Sequence, residues 1–217
     1  MDQKTLIVPS IKGLNELSSI HELETELDTI PDQLIDIVPW NEYSYKPTVR
    51  FKIAHFNNGI IIKFYVTEKE FRVTYLKSNE AVYKDSCVEF FFSIGEEMEY
   101  YNFEFNAIGT CLAAFGINRN NREYLSNDII QQIKTHSRME RTLNDSVKGI
   151  NWELTAILPL SVFSFHQLTS LKDLKGSANF YKCGDDLNDP HYLVWNPIFS
   201  DKPDFHLRKY FGNIYFI

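Results

Sequence analysis

The sequence has no long hydrophobic run, and none of its windows reaches the apolar length of a membrane span. Near the start, only Leu6, Ile7 and Val8 precede Pro9, and this run is too short for the apolar core of a signal peptide. If Met1 is the native start, these absences predict a cytoplasmic protein. A secreted or periplasmic protein whose leader has been removed would present the same sequence, so this alternative stays open.

Cysteine is sparse and basic residues are dispersed. The chain of 217 residues has three cysteines, Cys87, Cys111 and Cys183, an odd number at wide spacing. They form neither a CxxC metal motif nor a disulfide framework, so we expect buried free thiols. The formal net charge is -7 and no run of Lys or Arg occurs, whereas phosphate binding needs a concentrated basic surface. We therefore expect neither a nucleic-acid nor a membrane partner.

Catalytic signatures are missing as well. The sequence contains no GxSxG, HExxH, Walker or GxGxxG motif. Glu89 and Glu104 are a candidate carboxylate pair for glycoside hydrolysis, but two carboxylates on strands are common in proteins. We therefore expect a protein that is not an enzyme.

Metal-binding patterns are weak. His191 lies near Cys183 and Asp185, but the spacing matches no compact zinc motif. Oxygen ligands in the loop 184–189 leave structural calcium open, although the loop lacks the regular spacing of a calcium loop. We expect no cofactor, with this calcium as the one alternative.

Aromatic residues are abundant, at 15% with 17 Phe and 12 Tyr, which favours strands. Val49–Phe56 and Ile60–Val66 flank Asn57-Asn58-Gly59, and Asn-Gly between two such runs indicates a hairpin. Many short strand-like runs between turn signals, with a few short helical turns, predict a single all-β sandwich. We place this domain at residues 40–217 and treat residues 1–39 as an N-terminal extension packed on it.

The stretch Tyr83–Ala107 is predicted to form two adjacent strands joined by a charged turn. By the two-residue alternation of a strand, Glu89 of the first strand can share a face with a polar row of the second. That row is Asn102, Glu104 and Asn106. Periodicity alone favours a solvated outer face. The alternative is a polar ligand surface, because a carboxylate among amides stands out on an otherwise apolar sheet.

The chain also carries rings that suit a sugar. Sugars present flat apolar C–H faces, which binding sites match with aromatic rings, while amides and carboxylates bond the hydroxyls. Tyr83, Trp195 and Trp40 are the candidate ring platforms, whereas Trp152 is expected in the core. The candidate polar partners are Glu89, Asn102, Asn106, Asn196 and Lys182.

The order of motifs along the chain is distinctive. From about residue 40 to 217 the chain has Trp40, the strands VRFKIAHF and IIIKFYV, and then YKDSCVEFFFS, YYNFEFNAIGT, WELTAILPLSVF, ANFYKCGD, HYLVWNPI and FGNIYF. In order, spacing and ending, these pieces resemble the family-9 carbohydrate-binding modules. The resemblance is closest to stand-alone family-9-like proteins of gut-type bacteria.

This resemblance implies a jelly-roll-type, DOMON-like β-sandwich that binds the end of a sugar chain without cleaving it. In the family, two aromatic rings sandwich a terminal sugar, and a carboxylate bonds its hydroxyls. The rings match Tyr83, where the family often has Trp, and Trp195, and the carboxylate matches Glu89. Some members hold structural calcium, but no matching ligand set is evident in this sequence. The ligand-binding residues that we predict are Tyr83, Glu89, Asn102, Asn106, Trp195 and Asn196.

Two other functions stay open. Related sandwich domains bind heme, so the first alternative is an interaction module, or a binder of another small ligand, without sugar affinity. The second is a glycosidase that uses Glu89 and Glu104.

Overall fold

The computed structural model describes residues 3–11, 18–144 and 147–217, without the side chains of 142–144 and 147–148. The strands are Thr5–Val8 (β1), Gln33–Leu34 (β2), Thr48–Phe56 (β3), Gly59–Glu68 (β4), Cys87–Ile94 (β5), Tyr100–Asn106 (β6), Cys111–Asn118 (β7), Asn121–Tyr124 (β8), Lys134–Asn144 (β9), Val147–Pro159 (β10), Lys175–Cys183 (β11), Tyr192–Val194 (β12) and Gly212–Phe216 (β13). The α-helices are Ile20–Leu27 (α1) and Asn127–Ile130 (α2), and single 3-10 turns span Val82–Lys84, Leu160–Val162 and Arg208–Tyr210. Within these ranges, no helix is both long and apolar enough to cross a membrane.

The strands form two sheets. The larger sheet has the order β1-β13-β11-β5-β6-β7-β8, with β12 paired to β11, and the smaller has the order β2-β3-β4-β10-β9. The pairing of β1 with β13 is parallel, and the other strand pairings are antiparallel. This arrangement confirms the predicted all-β sandwich.

Two predicted strand pairs are present. β3 ends at Phe56 and β4 begins at Gly59, and these residues face each other across the hairpin. The stretch Tyr83–Ala107 contains β5 and β6, with Glu89 directly opposite Glu104. Because side chains alternate along a strand, both carboxylates lie on one face of the larger sheet.

The main core lies between the sheets. Phe51 of β3 stacks on Phe180 of β11 with their ring centroids 3.8 Å apart, and Trp152 and Trp195 belong to the same core. Full burial of a large apolar side chain contributes about 1.5–3 kcal/mol. The layer of aromatic rings is therefore a main source of the stability of the sandwich.

An ion pair is buried beside Trp152. Lys182 Nζ lies 2.8 Å from Glu68 Oε2, and both side chains are 0% exposed. Trp152 donates its indole N–H to Glu68 Oε1 at 2.6 Å, and the Lys182 ammonium is 2.8 Å from His191 Nε2. Lys182, which the sequence offers as a candidate sugar partner, is therefore buried in an ion pair inside the sandwich.

The outer face of the larger sheet is buried, although periodicity alone favours a solvated face. Every residue of β5 and β6 is buried. Segments before β3, before β5 and after β12 cover this face and complete a second core. Its buried members are Trp40, Val82, Cys87, Phe91, Tyr100, Leu112, Tyr181, Cys183, Val194, Ile198, Phe205 and Phe211. The polar groups on this face therefore sit in an apolar setting, where their charge states are perturbed.

Residues before 40 take part in both sheets. β1 pairs with β13 of the larger sheet, and β2 pairs with β3 of the smaller one. Between these two strands lies α1, whose N-cap Ser19 forms a capping box with Glu22. Leu23 and Leu27 of α1 are buried in a third apolar cluster. The described part of this segment thus belongs to the sandwich.

The polar segment 117–132 partly joins the larger sheet. β7 continues to Asn118, and β8 pairs back onto β7 at the edge of the larger sheet. This hairpin carries Arg122 and Tyr124 to the covered outer face.

Candidate functional site

A cavity of about 540 Å³ opens on the outer face of the larger sheet. Its floor consists of polar side chains on four strands, and its walls are aromatic rings, mostly from the covering segments. The floor residues are Glu89 on β5, Glu104 on β6, Arg122 on β8 and Cys183 on β11. The rings are Tyr43, Tyr83, Tyr124, Tyr192 and Phe205.

Glu104 is held in place by two donors. Arg122 Nη1 lies 3.2 Å from Glu104 Oε1, and the side-chain amide of Asn102 donates to the same oxygen at 3.0 Å. The other oxygen, Oε2, is buried and has no hydrogen-bond partner among the described residues. Burial raises the pKa of Glu104 to about 7, and Arg122 opposes this rise. Oε2 is therefore an unsatisfied buried acceptor on a residue that lines the cavity.

Glu89 faces Glu104 across the β5–β6 ladder. Its Oε1 accepts a hydrogen bond from Cys183 Sγ at 3.1 Å. Burial raises the pKa of Glu89 well above its ordinary value, and the charge of Glu104 raises it further. Two buried carboxyl groups that face each other resist simultaneous ionisation, so the pair holds a proton more tightly than exposed carboxylates do.

His206 lies in the cavity next to Arg122. Its Nδ1 is 2.9 Å from the Tyr100 hydroxyl, and its Nε2 is 3.4 Å from Arg122 Nη1. A guanidinium only donates, so Nε2 accepts and the ring proton resides on Nδ1, where it is donated to Tyr100. Burial, followed by the positive charge of Arg122, lowers the pKa of His206 to about 2. The imidazole is therefore a neutral hydrogen-bonding group in the wall.

The rings give the cavity its apolar surface. Tyr43 and Tyr192 meet edge to face with centroids 4.8 Å apart, and Tyr124 on β8 is 51% exposed at the rim. Tyr83 stands on the 3-10 turn that precedes β5. Tyr192 donates a hydrogen bond to Asp185, whose pKa burial raises to about 6. Flat rings beside carboxylates and a guanidinium suit a ligand with apolar faces and many hydroxyls.

The structure brings only some of the predicted site residues together. Tyr83 and Glu89 both line the cavity. Asn102 lies behind Glu104 and orients it. Asn106 is fully buried, and its amide donates to the Tyr75 carbonyl at 2.7 Å. Asn106 thus anchors a covering segment and does not border the cavity.

Trp195 and Asn196 lie elsewhere, contrary to the expectation from sequence. The backbone N–H of Trp195 bonds to the Phe180 carbonyl, and its ring is 1% exposed in the main core. The side chain of Asn196 accepts from the Lys4 N–H and donates to the Tyr210 carbonyl, each at 2.8 Å. Pairing of this segment with β11 turns the indole ring inward, so it does not reach a ligand in the cavity.

The loop 184–189 does not fit calcium. Asp186 Oδ2 lies 3.6 Å from the ammonium group of Lys84. Asp189 pairs with Lys69. These carboxylates point to separate cations, whereas a calcium site needs several oxygen ligands around one centre.

Several cavity residues escaped the sequence analysis. Arg122 is one of them. The pair Asn120-Asn121, between two short strand-like runs, is a turn signal that could have indicated the hairpin carrying Arg122. Tyr43, Tyr192 and His206 lie in or beside irregular segments, or on a strand of three residues. They reach the cavity through the packing of the second core, which a local pattern does not encode.

The fold and the cavity together define a β-sandwich with a polar, ring-lined cavity on the outer face of one sheet. The sequence profile of carbohydrate-binding family 9 matches residues 21–216 of the chain. The chain therefore belongs to carbohydrate-binding family 9. The comparison with curated proteins gives no match.

Solved structures extend this comparison. A Bacteroides uniformis ATCC 8492 protein with a candidate role in carbohydrate binding is 34% identical, with a TM-score of 0.90 and coverage of 100% of both chains. A family-9 module from Caldicellulosiruptor kristjanssonii in complex with glucose is 13% identical, with a TM-score of 0.60 over 99% of this chain and 96% of that one. A family-9 module from the same organism in complex with cellotriose is 12% identical, with a TM-score of 0.56 over 98% of this chain and 93% of that one. The latter two share the fold.

Proposed function

We propose that this protein binds carbohydrate without cleaving it, and that a sugar end enters the cavity over Glu89 and Glu104. The observation that carries the proposal is the unused, buried Oε2 of Glu104 on the floor of a cavity walled by rings. Family membership supports it, as do the glucose and cellotriose complexes of structurally similar family-9 modules. The cavity volume lies within the range of about 300–1,000 Å³ that is typical of small-molecule sites.

Tyr83 is the ring that we propose for stacking on the sugar. It is half-buried, so that one part of the phenol packs on the second core and another borders the cavity. In this proposal Tyr43 and Tyr192 supply the second aromatic surface against the sugar, the role for which the sequence suggests Trp195. A ring on the sugar C–H face supplies affinity with little dependence on the exact hydroxyl pattern.

Charge pairing favours a neutral sugar over an acidic one. Arg122 is paired with Glu104, and Arg119 Nη2 lies 3.2 Å from Asp204 Oδ1. Both guanidinium groups of the cavity are thus already engaged by carboxylates. The floor offers Glu89 and Glu104 as acceptors for hydroxyl groups, and an anionic sugar would add charge to this acidic pair.

Calorimetric titration with glucose, cellotriose and glucuronic acid tests the proposal. We expect the neutral sugars to bind and Tyr83→Ala to weaken binding about tenfold, because loss of a stacked ring removes about 0.5–1.5 kcal/mol beyond area burial. Tyr215→Ala is the matched control, since Tyr215 is half-buried on β13, away from the cavity. Glu89→Gln should weaken binding, whereas Trp195→Phe should retain it. A folded wild type that binds no glycan of a broad array would overturn the proposal.

Glycoside hydrolysis is a second candidate, favoured by the raised pKa values of the facing pair Glu89 and Glu104. Release of a chromophore from aryl glycosides by the wild type, abolished in Glu104→Gln, would support it over simple binding. A Soret band after incubation with heme would instead favour the small-ligand alternative.

A further inference from the structure

Two thiols and a carboxylate meet at the floor of the cavity. Cys87 on β5 and Cys183 on β11 are directly opposite each other in the antiparallel ladder. Glu89 is two residues along β5, so strand alternation places it on the same face. One ligand atom of each residue lies within 4.8 Å of the other two. In the described ranges, this is the only cluster of three such residues.

We propose that Cys87, Glu89 and Cys183 form a binding site for a thiophilic divalent cation of the zinc class. Tetrahedral zinc has Zn–S bonds of about 2.3 Å and Zn–O bonds of about 2.0 Å, which places neighbouring ligand atoms about 3.5–3.8 Å apart. The ligand atoms lie within 4.8 Å of one another, so they need to approach by at most about 1.3 Å to meet this geometry. Thiolates select zinc, cadmium and cobalt over calcium and magnesium, which prefer oxygen.

The cluster is open on one side. Glu89 and Cys183 border the cavity, while Cys87 lies beneath them at 0% exposure. An ion can therefore enter from solvent and keep a fourth coordination position that faces the cavity. Three protein ligands with one open position is the arrangement of zinc sites that hold a water molecule or a ligand oxygen.

Charge balance is compatible with a bound cation. A divalent cation replaces the two thiol protons, which leave to solvent, and pairs with the Glu89 carboxylate. Two thiolates and one carboxylate carry three negative charges, and the divalent cation reduces this total to one. The positive charge of Arg122 lies close enough to act on the Glu89 carboxylate.

Titration of the untagged, reduced chain with Co²⁺, Cd²⁺ and Zn²⁺ tests this site. We expect one ion per chain, with thiolate-to-metal charge-transfer absorption for Co²⁺ and Cd²⁺, and displacement of Co²⁺ by Zn²⁺ but not by Ca²⁺. Cys183→Ser should remove the absorption and weaken binding at least tenfold. Cys111→Ser is the matched control, because Cys111 is also buried, at 4% exposure, but lies in the main core outside the cluster.

A readout on the wild type covers the case in which a serine variant fails to fold. Zinc should slow the alkylation of Cys183, which borders the cavity, with the site mapped by mass spectrometry, and should leave the labelling of Cys111 unchanged. Absence of charge transfer in the folded wild type would overturn the proposal. So would absorption that persists in Cys87→Ser/Cys183→Ser. Sugar titration of the metal-free protein is a separate experiment, so failure of one proposal is distinguishable from failure of the other.

Discussion

Glu89 and Glu104 lie directly opposite each other on adjacent antiparallel strands, and their side chains are 3% and 2% exposed. Like charges at such positions are destabilising, and burial adds the cost of removing a charge from water. The arrangement is tolerated because Arg122 compensates one carboxylate and because the raised pKa values allow the pair to retain a proton. The pair therefore marks a place where the fold carries a destabilising arrangement on the floor of the cavity.

Removal of the guanidinium from Arg122 should destabilise the protein strongly. Arg122→Met leaves Glu104 buried without its cation, and loss of one partner of a buried pair costs about 3–5 kcal/mol. Urea unfolding measures the change. Arg119→Met is the control, because the Arg119 side chain is 55% exposed and such surface pairs contribute about 0–1 kcal/mol. Glu104→Gln should restore much of the stability that Arg122→Met removes, and additive losses would contradict this account.

The buried pair of Lys182 and Glu68 should behave differently from a surface pair. Lys182→Met leaves a carboxylate at 0% exposure that, among the described residues, keeps the Trp152 indole as a donor and has His191 Nε2 3.7 Å away, so we expect a loss of about 3–5 kcal/mol in unfolding free energy. Lys69→Met breaks the exposed pair with Asp189 and should cost less than about 1 kcal/mol. Equal losses in the two variants would show that the Lys182 ammonium is not confined to the interior.

His206 should make the protein less stable in acid. Its folded pKa of about 2 lies below the ordinary value of 6.5, so the unfolded chain binds more protons below about pH 6.5. The stability contributed by the neutral ring is complete above that pH and decreases as the pH falls towards 2. Between pH 8 and pH 5 the decrease from this group is about 2 kcal/mol.

Urea unfolding of the wild type and His206→Gln at both pH values isolates this effect. The difference in stability between the two proteins should change by about 2 kcal/mol from pH 8 to pH 5, in favour of the variant at pH 5. His21→Gln, at an exposed position of α1, should show the pH dependence of the wild type. A constant difference between wild type and His206→Gln would mean that the folded imidazole accepts a proton readily.

Two glycines with positive φ should respond unequally to alanine. Gly109 has φ of +88°, and a Cβ there would lie 2.4 Å from Thr135 Oγ1, whereas Gly95 has φ of +60° in open space. The left-handed backbone alone costs an L-residue about 1–2 kcal/mol. We expect Gly95→Ala to lose about that amount in thermal or urea unfolding and Gly109→Ala to lose more. Thr135→Ala should recover part of the excess, and no recovery would argue against the steric contribution.

The sequence predicts the sandwich and the facing carboxylates because both follow from local patterns. Alternation in β5 and β6 is sufficient to place Glu89 with Glu104 once the strands pair. The same patterns do not show which face is covered, since this depends on irregular segments that pack far from their neighbours in sequence. Segments before β3, before β5 and after β12 bury the outer face, and the last of these places His206 in the cavity.

Trp195 illustrates the limit of reasoning from a single residue type. A tryptophan before Asn-Pro at the end of a strand suits an exposed platform and a core position equally well. The direction of its ring is set by pairing with β11, a contact with no signature in the local sequence. Conversely, Tyr192, three residues earlier and less conspicuous, lines the cavity.

The second core constrains how this protein can change its ligand. Phe205, Tyr83 and Tyr192 belong to the inner wall of the cavity and to the packing of the second core at once. A substitution there that alters the shape of the cavity also disturbs the fold. Tyr124 and Arg119 at the rim are half or more exposed. Evolution and engineering of new ligand preference should therefore start at the rim, where a change of side chain leaves the packing intact.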